Sequence, residues 1–461
     1  MTIMRMAWVA ASLAWAAAGP AAARSVVMIS IDGMNPEYVT EAAAHGLKVP
    51  NLRALMTEGS YASSVRGVAP TVSWPSAVAL MTGTPPARSG VLNNEHFEPS
   101  DRNAAPGIYL YAADVKTDTL WAAATRAGLV TANVDQLASV GSPFVRYDIP
   151  RYEVGPWAAE NRKALEAVSR PPNFLSRLEA DLGPYEGLDF GKDSYDASRA
   201  KFAIAILKRY KPQFLSVHLS GVDVEAHAHG PFSAEADHAA ETIDGLIGQL
   251  RAAALAADPD AILVIVSDHG QVPYDKVLNL RIPLIEAGLI TIDPPVPGKP
   301  AHVTGWKADV WGGGDAGIML RDPADAVTRA KVRAILDRLA ADPANGIARI
   351  LDGAEIAKYQ GWTGASFLVS LKTGYSAGNA LVGDMVTHLP QVHGMHGLLP
   401  DNIGVSAAFF IAGKGIRPGQ DLGRIDMLRI APTVAQALEV HLKDAEQAPL
   451  PVFAEQAAPP L

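Results

Sequence analysis

Four stretches of this chain carry side chains suited to holding metal ions, and each except the last follows an apolar, β-rich run. VVMISIDGM carries Asp32, FLSVHLSGVDVEAHAHGP carries Asp223 and His227, AILVIVSDHG carries Asp268 and His269, and a later GMHG adds His396. Carboxylate oxygen and imidazole nitrogen both suit Zn²⁺, and a catalytic ion keeps a position open beside its protein ligands. These are the residue types that two closely spaced zinc ions need. A fifth stretch, PTVSWPSAVALMTG, sets Ser73 directly before Trp74-Pro75 and an apolar helical run. That places Ser73 at an expected N-cap, where free backbone N–H groups and the positive helix end favour an anion. It is the candidate nucleophile.

Spacing adds to residue type. Asp223 and His227 are four apart, so one helical turn would carry both on one face, close enough to share an ion. Asp268 and His269 are adjacent and would face opposite ways on a strand. They must therefore lie on the loop beyond it, which the following Gly270 permits.

The elements that must position these groups are legible in the apolar pattern. Strands are expected at Val26 to Ile31, Phe214 to Leu219, Ile262 to Val266 and Ala407 to Ile411. Helices are expected at Asn51 to Glu58, Trp74 to Thr82, Thr119 to Ala127, Ala197 to Arg209, Ala234 to Ala256 and Ala326 to Leu339. This alternation implies an α/β fold, a mostly parallel sheet between helices, with the reactive groups beyond the carboxyl ends of the strands. Residues 273–389 hold no candidate ligand, begin near the Pro-rich DPPVPGKP and contain Gly312-Gly313-Gly314, so they read as a smaller inserted α+β domain. The expected organisation is then a catalytic core in two segments, 24–272 and 390–445, and a flexible Pro- and Ala-rich tail, 446–461.

Composition narrows the setting. With 461 residues, 49% of them apolar, the chain exceeds one typical core and can bury a large sheet. A formal charge of −9 without a basic run argues against a nucleic-acid scaffold or an anionic membrane surface as partner. Arg5, the apolar stretch MAWVAASLAWAAAG and Ala21-Ala22-Ala23 read as an export signal over residues 1–23, cleaved near Arg24. The rival reading is an uncleaved anchor, but the stretch is short of the ~20 apolar residues needed to span a bilayer. A periplasmic or secreted protein without a stable membrane anchor is expected. Cysteine is absent, so stability must come from the core and from bound metal.

In this order, from about Val26 to Val440, the motifs resemble the alkaline phosphatase superfamily, and within it the nucleotide pyrophosphatase/phosphodiesterase group of two-zinc enzymes. The resemblance implies that Asp32, Ser73, Asp268 and His269 hold one zinc and that Asp223, His227 and His396 hold the other. It implies in-line attack by Ser73 on phosphorus, a phosphoseryl intermediate and its hydrolysis. Thr71 is another hydroxyl in the stretch but lacks the required place before Trp-Pro. Two zinc ions bring four positive charges, which three aspartates and a Ser73 alkoxide cancel. A nearly neutral site suits a diester monoanion better than a monoester dianion, and Ala77 stands where a nearby guanidinium would help the latter. The chain departs from the pattern where relatives have Thr as nucleophile and Asn three residues on; here stand Ser73 and Ser76. Asn94, in NNEHFEP, matches the relatives' N-x-x-[FY]-x-P stretch, and Ser76, Asn94 and Trp74 are the candidate substrate contacts. His218 stands where nucleotide-cleaving relatives often place a base-stacking tyrosine.

Other readings compete. Trp74 packs on the core or stacks on a substrate ring. His229 and His393 are loop or supporting residues rather than ligands. Trp121, Trp157 and Trp306 are packing residues. A phosphomonoesterase or sulfatase of the same fold is one functional alternative, and a mutase is disfavoured by the export signal. A non-catalytic periplasmic zinc-binding protein is the alternative from another class, for which a positioned serine is unnecessary. The partner expected is a small phosphodiester; the sequence is silent on oligomeric state.

Overall fold

The computed structural model describes residues 24–152, 159–189, 194–294, 296 and 298–454. The expected export signal and Trp157 lie outside them. Among the described residues the main sheet has nine strands. Across it run Gln420–Asp421, Ser60–Arg66, Ala407–Gly413, Ile262–Val266, Val26–Ile31, Phe214–Leu219, Thr131–Val134 and Tyr147–Ile149, with Arg424–Asp426 also beside Ser60–Arg66. Val26–Ile31 pairs in parallel with both Phe214–Leu219 and Ile262–Val266, while Ala407–Gly413 runs antiparallel to its neighbours.

The strands Val26–Ile31, Phe214–Leu219 and Ile262–Val266 are buried along their whole length because both of their faces are covered. Val27, Ile29 and Ile31 pack into one cluster with Leu52, Phe202 and Ile247, which come from the helices Pro50–Glu58, Tyr195–Tyr210 and Ala234–Ala257. Val26 and Met28 pack on the other side with Leu80, Trp121 and Val434, from Ser73–Thr82, Leu120–Arg126 and Ile430–Ala437. The period-2 alternation of a strand thus divides one sequence run between two cores. Trp121 also donates its indole N–H to Ser216 Oγ at 3.1 Å.

Residues 272–395 build further sheets. One is antiparallel, in the order Ala308–Trp311, Ala316–Leu320, Phe367–Leu371, Ile347–Asp352; another joins Gly374–Gly378, Val272–Asn279 and Val386–Met395. The last strand runs through residue 390 and delivers the chain directly to His396. The tail corrects one expectation. Leu450 and Val452 are buried in the core, and the strand-like pairing of Phe453 with Ile416 ties residues up to Ala454 down. The composition of this tail is Pro-rich, but alternate apolar side chains in LPVF find a surface to cover.

Candidate metal and nucleophile site

Three adjacent strands end at one edge, and each hands over a candidate ligand there. Ile31 pairs with Leu219 and Ser30 with Val266, so Asp32, the loop Ser267-Asp268-His269 and the helix Gly221–His229 start side by side. Gly33 makes the turn after Asp32 with φ +69°, and a Cβ there would come within 2.8 Å of Asp223 Oδ1. Only glycine permits both the left-handed backbone and that approach. Asp268 Oδ1 accepts from the N–H groups of Gly33 at 3.2 Å and His269 at 3.0 Å, which locks the loop against the turn.

The first cluster is buried. His269 Nε2 lies 3.5 Å from Asp32 Oδ1, 3.5 Å from Asp268 Oδ2 and 3.4 Å from Ser73 Oγ. Asp32 Oδ1 and Asp268 Oδ2 have no hydrogen-bond partner. Buried carboxylate oxygens without a donor are costly, and a cation between them removes the cost. Ser73 corrects the N-cap expectation. Val72, extended at φ −126° and ψ 162°, is the cap, and Ser73 is the first residue of the helix Ser73–Thr82. Val72 already offers the carbonyl that the Ser76 N–H needs at 3.2 Å, so the Ser73 hydroxyl faces His269 instead of a backbone donor.

The second cluster is built from the helix Gly221–His229 and the end of Val386–Met395. Nε2 of His227 is 3.5 Å from Asp223 Oδ1 and 3.1 Å from Nε2 of His396, which is 3.9 Å from the same carboxylate oxygen. Each ring uses its Nδ1 elsewhere: His227 on the Gly394 carbonyl at 2.9 Å, His396 on that of Thr71 at 3.1 Å. In the neutral rings both Nε2 atoms are then bare acceptors, aimed with a carboxylate at a common point. Two imidazole acceptors and a carboxylate converging on one point fit a cation. His269 stacks on His396 at 3.7 Å and joins the clusters; its donor atom lies within 4.8 Å of those of Asp223 and His396 as well as those of Asp32 and Asp268.

Titration behaviour reflects this crowding. Burial and the charge of Asp32 push Asp223 up to about 7, and burial and Asp32 raise Asp268 well above the carboxylate range. Burial also acts to raise Asp32, but the hydrogen bond and charge of His218, with His269, outweigh it and hold it low. Burial pushes His269 down to about 4 and His396 well below its usual value, so both are neutral and ready to ligate.

Residues that sequence reasoning overlooked hold these groups in place. Gln271 donates from Nε2 to Asp223 Oδ1 at 2.5 Å. Asp196, clamped by Arg199 at 2.9 Å, accepts from the N–H groups of Ser220 and Gly221 at the start of the helix that carries Asp223. Gly314, at φ +82°, lies so close to His396 that a Cβ would meet its carbonyl at 2.1 Å, and Asp315 ties the same turn to Gly397 and Leu399. The glycine cluster thus braces the His396 loop. Asp196, an acidic residue in the first turn of its helix, gives a faint local signal; the other contacts give none.

The candidate substrate contacts separate. Asn94 lines a cavity of about 340 Å³ with His227 and His396, and its Oδ1 accepts from the Trp74 N–H at 2.9 Å. Trp74 is instead packed with Val78, Val91, Leu110 and Val140, because an indole on the second helical residue turns onto the apolar wall there. Ser76 is fully buried one turn along, its Oγ without a partner. His218 is also buried, its Nε2 3.2 Å from Asp32 Oδ2, so it orients a candidate ligand and presents no stacking face. His393 contacts the His227 carbonyl through Nδ1 at 3.0 Å, and His229 sits 3.6 Å from Glu225 on the exposed side of its helix. Trp306 packs with Phe97. Thr71 Oγ1 donates to the Leu398 carbonyl at 2.8 Å and is committed there.

Among the described residues no helix is long and apolar enough to cross a membrane. The fold is shared with murine ectonucleotide pyrophosphatase/phosphodiesterase 5, at TM-score 0.61 and 16% identity over 91% of this chain and 96% of that one. A structure of an inactive murine variant in complex with AMP and one of the human protein match equally well, each at TM-score 0.61 and 16% identity. In sequence, the chain is 25% identical over 247 residues to ectonucleotide pyrophosphatase/phosphodiesterase family member 1 of Rattus norvegicus. It is 23% identical over 255 residues to the Homo sapiens protein. These alignments span 53% of this chain but about a quarter of those much longer relatives, 24% and 23%. The model of one family, type I phosphodiesterase / nucleotide pyrophosphatase, matches residues 26–397, from the first central strand through His396. With that match over most of its length and all seven metal-suited and nucleophilic groups at one sheet edge, the chain belongs to the type I phosphodiesterase / nucleotide pyrophosphatase family.

Proposed function

We propose that this protein is a two-zinc hydrolase of phosphodiester or pyrophosphate bonds that works through a phosphoseryl intermediate at Ser73. The observation that carries this reading is the Ser73 hydroxyl at the rim of two acceptor-only clusters that share His269. Asp32, Asp268, His269 and Ser73 would hold one ion, and Asp223, His227 and His396 the other. When bound, the ions neutralise developing charge and favour the serine alkoxide.

The chain's own contribution is position. The helix Ser73–Thr82 fixes the hydroxyl on a rigid element and sets the positive end of its dipole beside the incoming anionic oxygen. Ser73 Oγ attacks phosphorus in line with the departing oxygen, and the phosphoseryl ester is then hydrolysed by water from the vacated side. Charge favours diesters: three aspartates and an alkoxide balance four positive charges, and no Lys or Arg lines the cavity beside the site. A zinc-binding protein without turnover would have no use for a hydroxyl held 3.4 Å from His269.

Bis-p-nitrophenyl phosphate should be cleaved faster than p-nitrophenyl phosphate or the sulfate, with activity lost on chelation and restored by zinc. Faster monoester or sulfate turnover would favour those alternatives, and zinc binding without turnover of any ester would support the sequestering one.

A further inference from the structure

A cavity opens beside the second cluster. Its volume is about 340 Å³, and its walls come from both parts of the chain: Asn94 and Glu95 on one side, Tyr274, Trp311 and Asn379 on the other, with His227 and His396 at its floor. Among the described residues that line it, Glu95 is the one charged side chain apart from the histidines. Glu95 is exposed as a whole residue, and partial desolvation raises its carboxyl above the usual carboxylate value.

Three cations near these walls in sequence are engaged elsewhere. Arg102 and Arg281 both bind Asp309, at 2.6 and 2.8 Å, and Lys276 binds Asp275 at 2.8 Å. The remaining polar side chains, of Asn93, Asn94, Tyr274, Ser376 and Asn379, are neutral. In-line displacement puts the leaving oxygen on the far side of phosphorus from Ser73. Ser73 belongs to the first cluster, and the cavity opens on the second.

Resting on the function proposed above, we infer that this cavity receives the leaving alcohol and that Glu95 makes it select a cationic alcohol and reject an anionic leaving group such as pyrophosphate. An anionic group there meets a carboxylate of like charge and, among the described lining residues, no compensating guanidinium or ammonium, whereas an ammonium alcohol meets one opposite charge. The chain would then use the family's chemistry on diesters of amino or ammonium alcohols.

The test uses the zinc-loaded full chain and phenyl phosphodiesters whose nitrophenol leaving group is unsubstituted, carries a carboxylate, or carries a trimethylammonium group. Because the three phenols differ in acidity, the readout is how the ratios of kcat/KM change between wild type, Glu95→Gln and Glu95→Lys. The cationic-to-anionic ratio should fall about tenfold in Glu95→Gln and further in Glu95→Lys, with the neutral ester changing least. Bound zinc, measured on each variant, separates a specificity change from a damaged centre. Unchanged ratios in variants that retain zinc and turnover overturn the inference and leave the proposed function standing. Absence of turnover on all three esters by the wild type removes the proposed function, and the inference with it.

Discussion

The two ligand clusters are built from the same residue types yet differ in almost every physical respect. The Asp32/Asp268/His269 group sits at the ends of paired strands, with Asp268 and His269 fully buried and Ser73 against them. The Asp223/His227/His396 group hangs from a short helix and the end of a long strand, and 43% of the His227 side chain is exposed. The lesson is one of division of labour. A nucleophile benefits from a dry, rigid setting that fixes its angle, whereas a leaving group needs an open wall through which to depart.

Ser73→Ala is the largest expected effect. Diesterase activity should fall by at least ~10³-fold while zinc content is retained, since the acceptors of both clusters remain. Full activity in that variant would defeat the nucleophile assignment.

Next come ligand substitutions that should act unequally on the two clusters. Asp268→Asn leaves His269 and Asp32 in a buried site with one acceptor fewer, and should abolish activity and cut bound zinc from two to one per chain by elemental analysis. His227→Asn opens an already accessible site, so excess zinc should restore much of its activity. Equal rescue of both variants would erase the proposed contrast.

A third test is pH. In the metal-free chain, Asp223 and Asp268 hold protons that the unfolded chain releases near pH 4, which lowers stability as pH rises. His269 and His396 act oppositely below about pH 6.5, because the unfolded chain protonates them and the folded chain does not. Asp32 is ionised in both states across this range and adds no slope. Above pH 6.5 the raised carboxylates of the site titrate together with the buried Asp148 and Asp315, all in the same direction, so the chelated protein should lose stability up to pH 8 in thermal unfolding. Zinc affinity should rise over the same interval, because the ion displaces those protons. A chelated protein that gains stability above pH 6.5 would contradict the crowded-carboxylate account.

The smallest effect is expected at Gln271, which holds only Asp223 of the open cluster. Gln271→Leu should weaken zinc at that site about tenfold and leave the buried site unchanged in competitive chelator titration. Loss of both ions together would show that the clusters are not separable.

Local pattern went far in this protein. The strands around Val26, Phe214 and Ile262 and the helices around Trp74 and Ala234 were readable because their apolar residues recur with strand or helix period, and the candidate ligands stand immediately after those runs. The supporting contacts were not readable. His218 meets Asp32 across 186 positions and Gln271 meets Asp223 across 48, and neither pair leaves a local trace. The ordering of Leu450 and Val452 likewise depended on a groove formed by distant helices.

Composition and spacing by themselves determined that an α/β sheet would carry Asp and His beyond the ends of its strands and Ser73 at a helix entry, since helix and strand periods are properties of neighbouring residues. Only the folded chain decided that Ser73 spends its hydroxyl on His269 rather than on a cap, that Trp74 turns into the core, and that Glu95 stands as a lone charge in the cavity. Those outcomes depend on which surfaces meet across hundreds of residues, and burial, charge and hydrogen bonding act on such meetings only once the chain has closed.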